Sequence, residues 1–249
     1  KIVGSGKEGV IVLHGWVGDH SVFEPMFPYL DTATFTYAFI DYRGYGLSRH
    51  MAGEHTMAEI ASDAIGLAQH LGWERFHLLG HSMGGMAVQR IAVDHRRRVK
   101  SGVCVTPVPA AGVPLDAAGE DLFYGSADND DKRAGILAFS TGSRLSPSWV
   151  QYMTRRSRET TTRDAYADYA RAFTKTNFVD AAKGLTTPLL VAIGEHDLAL
   201  TKDVMNGTFM AWYPNAELEV IPNSGHYPMQ ETPVYLATLV EKFMREHTR

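Results

Sequence analysis

The run Gly80-His81-Ser82-Met83-Gly84-Gly85 holds a serine in the spacing G-x-S-x-G. A serine hydroxyl is a weak nucleophile until a base removes its proton. This spacing supplies the turn that such chemistry needs. With no side chain at Gly80 or Gly84, a strand can double back into a helix and lift Ser82 clear of a sheet. The base and its partner then follow along the chain in the order acid, histidine. His226 stands in Asn223-Ser224-Gly225-His226-Tyr227-Pro228, and Asp197 closes Gly194-Glu195-His196-Asp197. Each motif follows an apolar run, so both residues are expected on loops at the carboxyl ends of strands, where open α/β sheets gather their sites. Asp197 is expected to accept the Nδ1–H of His226, which fixes its tautomer and stabilises the imidazolium. Asp203 is the second candidate acid, expected in the first turn of a helix where an acid favours the dipole, and Glu195 is a weaker third.

The charge that develops on a carbonyl oxygen under attack needs backbone donors. One is expected from the N–H of Met83, directly after the serine. The second is expected from Trp16 in His14-Gly15-Trp16, which follows the first apolar run. The Trp16 side chain then borders an acyl pocket. Cys104, inside Val103-Cys104-Val105, reads as an inert buried thiol. His77 and His81 straddle a strand end and a turn rather than one helix face, so they do not make a metal pair. Neither a metal nor a cofactor is expected.

Short apolar runs at Val10–Leu13, Phe35–Ile40, Phe76–Leu79, Val99–Val105, Leu189–Ile193 and Leu218–Ile221 predict strands buried on both faces of a parallel sheet. Between them, Thr56 followed by Glu59 predicts a capped helix start. Ile60, Ala64, Ile65, Ala68 and Leu71 continue it as one apolar stripe to Gly72. Met83–Val93 and Pro233–Glu246 predict two more helices, the last with Leu236, Leu239, Val240 and Phe243 inward. This alternation predicts an α/β fold, a doubly wound, mostly parallel sheet. The rhythm breaks after Pro107, Pro109, Gly112 and Pro114, and helical patches recur at Ile136–Phe139, Trp149–Met153 and Tyr166–Phe173. Residues 107–184 are therefore expected to form a helical cap inserted into a core made of 1–106 and 185–249. Asp41–Ser48 reads as rigid scaffolding beside the site.

Composition narrows the classes. At 249 residues and 45% hydrophobic the chain can bury a large core, and a net charge of −4 excludes a protein built to neutralise phosphates. The cluster Arg155-Arg156-Ser157-Arg158 reads as a solvated helix face, so no nucleic-acid partner is expected. No apolar run approaches the roughly 20 residues of a membrane span, and no membrane partner is expected. A lone cysteine excludes an internal disulfide and fits, weakly, a reducing compartment. With no signal peptide visible, a cytoplasmic location is expected and Asn206-Gly207-Thr208 reads as a chance sequon. The sequence opens on Lys1 rather than Met, so its start is not taken as a natural N-terminus. The partner expected is a small-molecule substrate; a homo-oligomer stays open.

Taken together, Gly80–Gly85, His14-Gly15-Trp16, Asp41–Ser48, Gly194–Asp197 and Gly225-His226 resemble the α/β-hydrolase superfamily, in this order and over most of the chain outside the insertion. The Trp after His-Gly and the Met after the serine are similar to the aryl esterases and the cofactor-free haloperoxidases (perhydrolases). The resemblance implies serine esterase activity, with perhydrolysis of small acids in some members. It carries Ser82, Asp197 and His226 over as the triad, and the backbone of Trp16 and Met83 as the oxyanion hole. A serine nucleophile sets the chain apart from the epoxide hydrolases and haloalkane dehalogenases of the fold, which use an Asp there. The family also carries antiparallel strands before the His-Gly strand. Only nine residues precede Val10 here, so the first of these one or two strands is expected to be absent or cut away.

The expected reaction is hydrolysis of a carboxylic ester or lactone through an acyl-enzyme, in a largely apolar pocket walled by Trp16, Trp149, Tyr152, Met153, Phe173 and Tyr227. Two alternatives keep the fold. A carbon–carbon hydrolase of a diketone-type acid needs an anchoring cation from the insertion, such as Arg144, Arg155 or Arg156. A small-molecule receptor needs no turnover.

Overall fold

The computed structural model describes residues 1–248. Its strands are β1 (Ile2–Gly4), β2 (Glu8–Leu13), β3 (Phe35–Ile40), β4 (Phe76–His81), β5 (Val99–Val105), β6 (Leu189–Gly194) and β7 (Ala216–Ile221). They form one sheet in the order β1-β3-β2-β4-β5-β6-β7. Every neighbouring pair is parallel except β1 with β3. β4 and β6 are buried along their whole length. That is why they read as unbroken apolar runs rather than alternating ones. One antiparallel strand, β1, precedes β2. Three residues, with Ile2 opposite Ala38 and Gly4 opposite Thr36, suffice to cover the outer edge of β3.

The helices of the sheet framework are α1 (Met57–His70), α2 (Met83–Asp94) and, at the C-terminal end, α11 (Pro233–Glu246). α1 starts where Thr56 Oγ accepts the Glu59 N–H at 3.1 Å. The Glu59 carboxylate accepts instead from the N–H groups of Glu54 and His55, two and one residues further out than a reciprocal capping box requires. Leu236, Val240 and Phe243 of α11 are buried, while Leu239 packs against the core half-buried. α11 lies against a 3₁₀ stretch at His20–Tyr29, and α1 lies against α2.

Between β5 and β6 the chain forms α3 (Ala117–Gly125), α4 (Asp130–Ser140), α5 (Pro147–Thr160), α6 (Arg163–Lys175) and the single turn α7 (Val179–Ala182). Asp116, Asn129, Ser146 and Thr162 each cap the following helix through a side-chain oxygen. Three short helices complete the chain: α8 (Lys202–Gly207), α9 (Phe209–Trp212) and α10 (Pro228–Glu231). No helix among the described residues is long and apolar enough to cross a membrane.

Strand order reverses between β2 and β4, which pair with Leu13 opposite Gly80. Their carboxyl ends therefore bring His14-Gly15-Trp16 alongside His81-Ser82-Met83, at the crevice that a reversal of this kind opens. On the other side, Gly194 lies opposite Ile221. The loops bearing Asp197 and His226 thus leave the same sheet edge together.

Candidate active site

Ser82 sits between β4 and α2 with φ 54° and ψ −114°, a left-handed conformation that a serine adopts only when its surroundings force it. The glycines on either side permit it. A Cβ on Gly80 would meet the Gly84 carbonyl oxygen at 2.3 Å, and one on Gly84 would meet the Leu13 carbonyl oxygen at 2.3 Å. The Ser82 carbonyl opens α2 by accepting from Gly85 and Met86 at 2.9 and 3.3 Å. The N–H groups of Trp16 and Met83 have no acceptor among the described residues.

The loop after β2 is held by its own aromatic and imidazole side chains. His14 is fully buried, its Nδ1 2.7 Å from the Gly15 carbonyl and its Nε2 accepting from the Tyr42 N–H at 3.3 Å. Burial lowers its pKa and keeps it an uncharged strut. The Tyr42 and Tyr45 hydroxyls donate to the carbonyls of His14 and Trp16 at 2.8 and 2.9 Å. Asp41 accepts from the His20 and Leu47 N–H groups at 2.8 and 2.7 Å, and Arg43 forks onto Asp63 with both contacts at 2.9 Å. The 41–48 segment is thus a braced loop under the site.

His226 Nδ1 lies 2.6 Å from Asp197 Oδ2. The other oxygen of Asp197 accepts the N–H groups of Ala199 and Leu200 at 2.9 and 3.0 Å. Burial alone would raise the carboxyl's pKa. The adjacent His226 and the two backbone donors outweigh it, and the net shift is downward. Asp203 stays in the first turn of α8, exposed. Glu195 points outward and accepts from the Asn223 N–H at 3.1 Å. His81, beside the serine, donates from Nε2 to the His226 carbonyl at 2.7 Å, and its buried Nδ1 has no partner. Burial pushes its pKa well down.

Ser82 and His226 line one cavity of about 350 Å³. Of the expected wall residues, Trp16, Phe173 and Tyr227 line it; Trp149, Tyr152 and Met153 do not. α5 lies behind the wall rather than in it. Trp149 donates its indole N–H to Gln230 at 2.8 Å and meets Tyr227 edge-on. Met153 packs beside Gln230, and Tyr152 is 46% exposed. The wall comes instead from the loop before α3 and from α3 and α4, through Val113, Leu115, Leu122, Phe123, Ile136 and Phe139. Val17, Val108 and Leu200 add to it from the sheet side. These contributors carry no sequence motif; only their apolar type marks them. Phe139 is 52% exposed at the rim.

Among the described residues, no Lys, Arg, Asp or Glu lines this cavity. The three candidate anchoring cations lie elsewhere. Arg144 pairs with Glu231 at 3.0 Å, Arg156 reaches Glu159 and Ser21 at 3.4 Å each, and Arg155 is exposed. Cys104 is buried and hydrogen-bonded no closer than 3.9 Å, to the Gly85 carbonyl, and burial pushes its pKa above the ordinary thiol range. His77 bonds Ser101 at 2.8 Å, away from His81. Among the described residues, the metal-ligating groups that cluster are Asp19, His20 and Asp41. Their atoms are already committed to one another, to Ser21 and to Leu47.

A family model described as "alpha/beta hydrolase fold" matches residues 9–233. The chain is 27% identical over 250 residues to 2-hydroxy-6-oxononadienedioate/2-hydroxy-6-oxononatrienedioate hydrolase 1 of Dechloromonas aromatica (strain RCB), covering 92% of this chain and 83% of that one. It is 26% identical over 239 residues to a non-heme haloperoxidase of Rhodococcus erythropolis, covering 90% and 86%. Among solved structures, an esterase from Exiguobacterium antarcticum superposes with a TM-score of 0.86 at 22% identity, over 98% of this chain and 94% of that one.

Proposed function

From the premise that this chain belongs to the α/β-hydrolase fold family, we propose that it is a serine hydrolase of neutral carboxylic esters or lactones, acting through an acyl-enzyme. The observation that carries the reading is the cavity itself. Ser82 and His226 share it, His226 is oriented by Asp197 at 2.6 Å, and its wall bears no charged side chain beyond that set. With Nδ1–H bound to Asp197, the Nε2 lone pair of His226 is the base. Ser82 attacks the carbonyl carbon as His226 takes its proton, and the N–H groups of Trp16 and Met83 hold the oxyanion. His226 then protonates the departing alkoxide. Water repeats the sequence on the acyl-enzyme and releases the acid. The apolar wall favours uncharged acyl or aryl groups, because a carboxylate buried there would lose its hydration with no cation to offset it.

A second reading, carbon–carbon hydrolysis of a diketone-type acid, draws support from the relative in Dechloromonas aromatica, whose name denotes a dioate substrate. The lack of a cation on the cavity wall weighs against it. The test is a panel of nitrophenyl esters, lactones and a vinylogous diketone acid, run with and without a serine-directed fluorophosphonate. Ester turnover that disappears as one equivalent of label attaches to Ser82 is expected. Turnover untouched by labelling, or neither turnover nor labelling, would favour a receptor. Preference for the diketone acid would favour the second reading.

A further inference from the structure

Both peptide planes that flank the Cα of His226 are pinned. The His226 N–H donates to the Ser140 carbonyl, at the end of α4, at 3.1 Å. The His226 carbonyl accepts from His81 Nε2 at 2.7 Å and from the Thr106 hydroxyl at 3.1 Å. The N–H groups on either side, Gly225 and Tyr227, converge on one carboxylate, that of Glu231, at 2.8 and 3.0 Å. The Glu231 side chain is only 2% exposed, and a charge so enclosed needs a counter-ion. Arg144, from the turn after α4, provides it at 3.0 Å and donates also to the Asn223 carbonyl at 3.2 Å. Neither Glu231 nor Arg144 lines the cavity, and the acyl-transfer steps use neither.

We infer that Glu231 and Arg144 form a latch that positions His226 and fixes it to α4, so that the base and the apolar wall carried by Ile136 and Phe139 move as one body. The inference rests on the reading of His226 as the general base. Two fixed peptide planes set the direction of the Cα–Cβ bond between them, and with it the approach of the imidazole to Ser82. A small misplacement of a base costs rate rather than binding. Because α4 also forms the substrate wall, a displacement of the insertion would be felt at the base. The charged and titratable groups facing His226 are Asp197 from the loop after β6, His81 from β4, Tyr227 and Glu231 from its own segment, and Arg144 from the insertion; Glu195 faces outward.

The test compares Arg144→Gln and Glu231→Gln with wild type and with Arg155→Gln, an exposed arginine outside this arrangement. It measures kcat, KM, pH dependence and fluorophosphonate labelling, using nitrophenyl butyrate as substrate. Arg144→Gln is expected to lower kcat about 10-fold with KM changed less than about twofold. Removing the cation leaves the Glu231 charge unbalanced, so the acid-side inflection of kcat/KM should rise by a few tenths of a pH unit, on the order that Coulomb's law in a watery surround allows. Glu231→Gln should lower kcat further and move the inflection the other way, because the arginine is then the unbalanced charge. A fold that was merely loosened would not produce shifts of opposite sign. Wild-type kcat and labelling in both variants, or shifts of the same sign, would overturn the latch. Arg144 is partly exposed, so its variant carries the test if Glu231→Gln does not fold. If wild type itself neither turns over nor labels, the reading of His226 as a base fails and the latch falls with it. If wild type labels and the variants label equally fast, the latch alone fails.

Discussion

The indole N–H of Trp16 donates to the backbone carbonyl of Tyr166 at 2.7 Å, across 150 residues of sequence. The two rings also stack, with centroids 4.3 Å apart, and the Arg133 guanidinium lies 3.7 Å from the centre of the Tyr166 ring. Separations that short require Arg133 and Trp16 to take opposite faces of Tyr166. The loop after β2 is thereby joined to α6, and through Arg133 to α4. Trp16→Phe keeps a ring but removes this second hydrogen bond to a helical carbonyl, a change that costs about 0.5–1.5 kcal/mol. Urea unfolding should show that loss, and ester turnover should fall as the proposed oxyanion donor loosens. An unfolding midpoint equal to wild type would mean that the tie is not structural.

Ser82→Ala should lower ester turnover at least about 10³-fold with a circular dichroism spectrum like that of wild type, because in the proposed reaction the hydroxyl is the nucleophile and not part of the packing. Asp197→Asn leaves His226 without its carboxylate, and a loss on the order of 10²–10⁴-fold is expected. Asp203→Asn, on an exposed helix turn, should be near neutral. Steady-state kinetics on the three variants settle the choice of acid, and a larger loss at Asp203 would reverse it.

What the sequence made legible follows strand ends. Ser82, Asp197 and His226 each close an apolar run, so their arrival at one sheet edge needed only the rule for parallel strands. The helices of the insertion offer no such anchor. Trp149, Tyr152 and Met153 are apolar or aromatic, as wall residues should be, yet nothing in their spacing says that α5 turns them towards Gln230 or solvent. Phe123 and Phe139 were equally silent, because the side of a helix that faces a cavity depends on packing between segments distant in sequence. β1 escaped for a different reason. Three residues at an edge are too few for a periodic pattern, and their pairing with β3 is what makes them a strand.

Phe139, half-exposed at the rim of the cavity, should limit the length of the acyl chain or leaving group that fits. One methylene in an apolar pocket is worth about 1–3 kcal/mol of discrimination. Phe139→Ala should therefore raise the ratio of kcat/KM for nitrophenyl octanoate over butyrate several-fold. A ratio unchanged within error would place the chain away from α4, against the wall formed by Val108 and Leu200.

The buried histidines make stability depend on pH. Burial, with Lys100 nearby, lowers the pKa of His77 to about 4, and burial lowers those of His14 and His81 as well. Between the folded and unfolded values the unfolded chain binds the extra proton, so stability is full above about pH 6.5 and is lost as pH falls towards 4. For His77 alone the gap corresponds to roughly 3 kcal/mol. His20 acts in the opposite sense. Its hydrogen bond to Asp41 raises its pKa, so its contribution is present below about pH 6.5 and fades as pH climbs through the raised value. Three lowered groups outweigh one raised group, and the unfolding free energy should fall steadily from pH 7 to 4.5 in urea titrations. His77→Asn, which removes one of the three lowered groups, should flatten that slope. An identical slope in the variant would assign the acid sensitivity to His14 and His81.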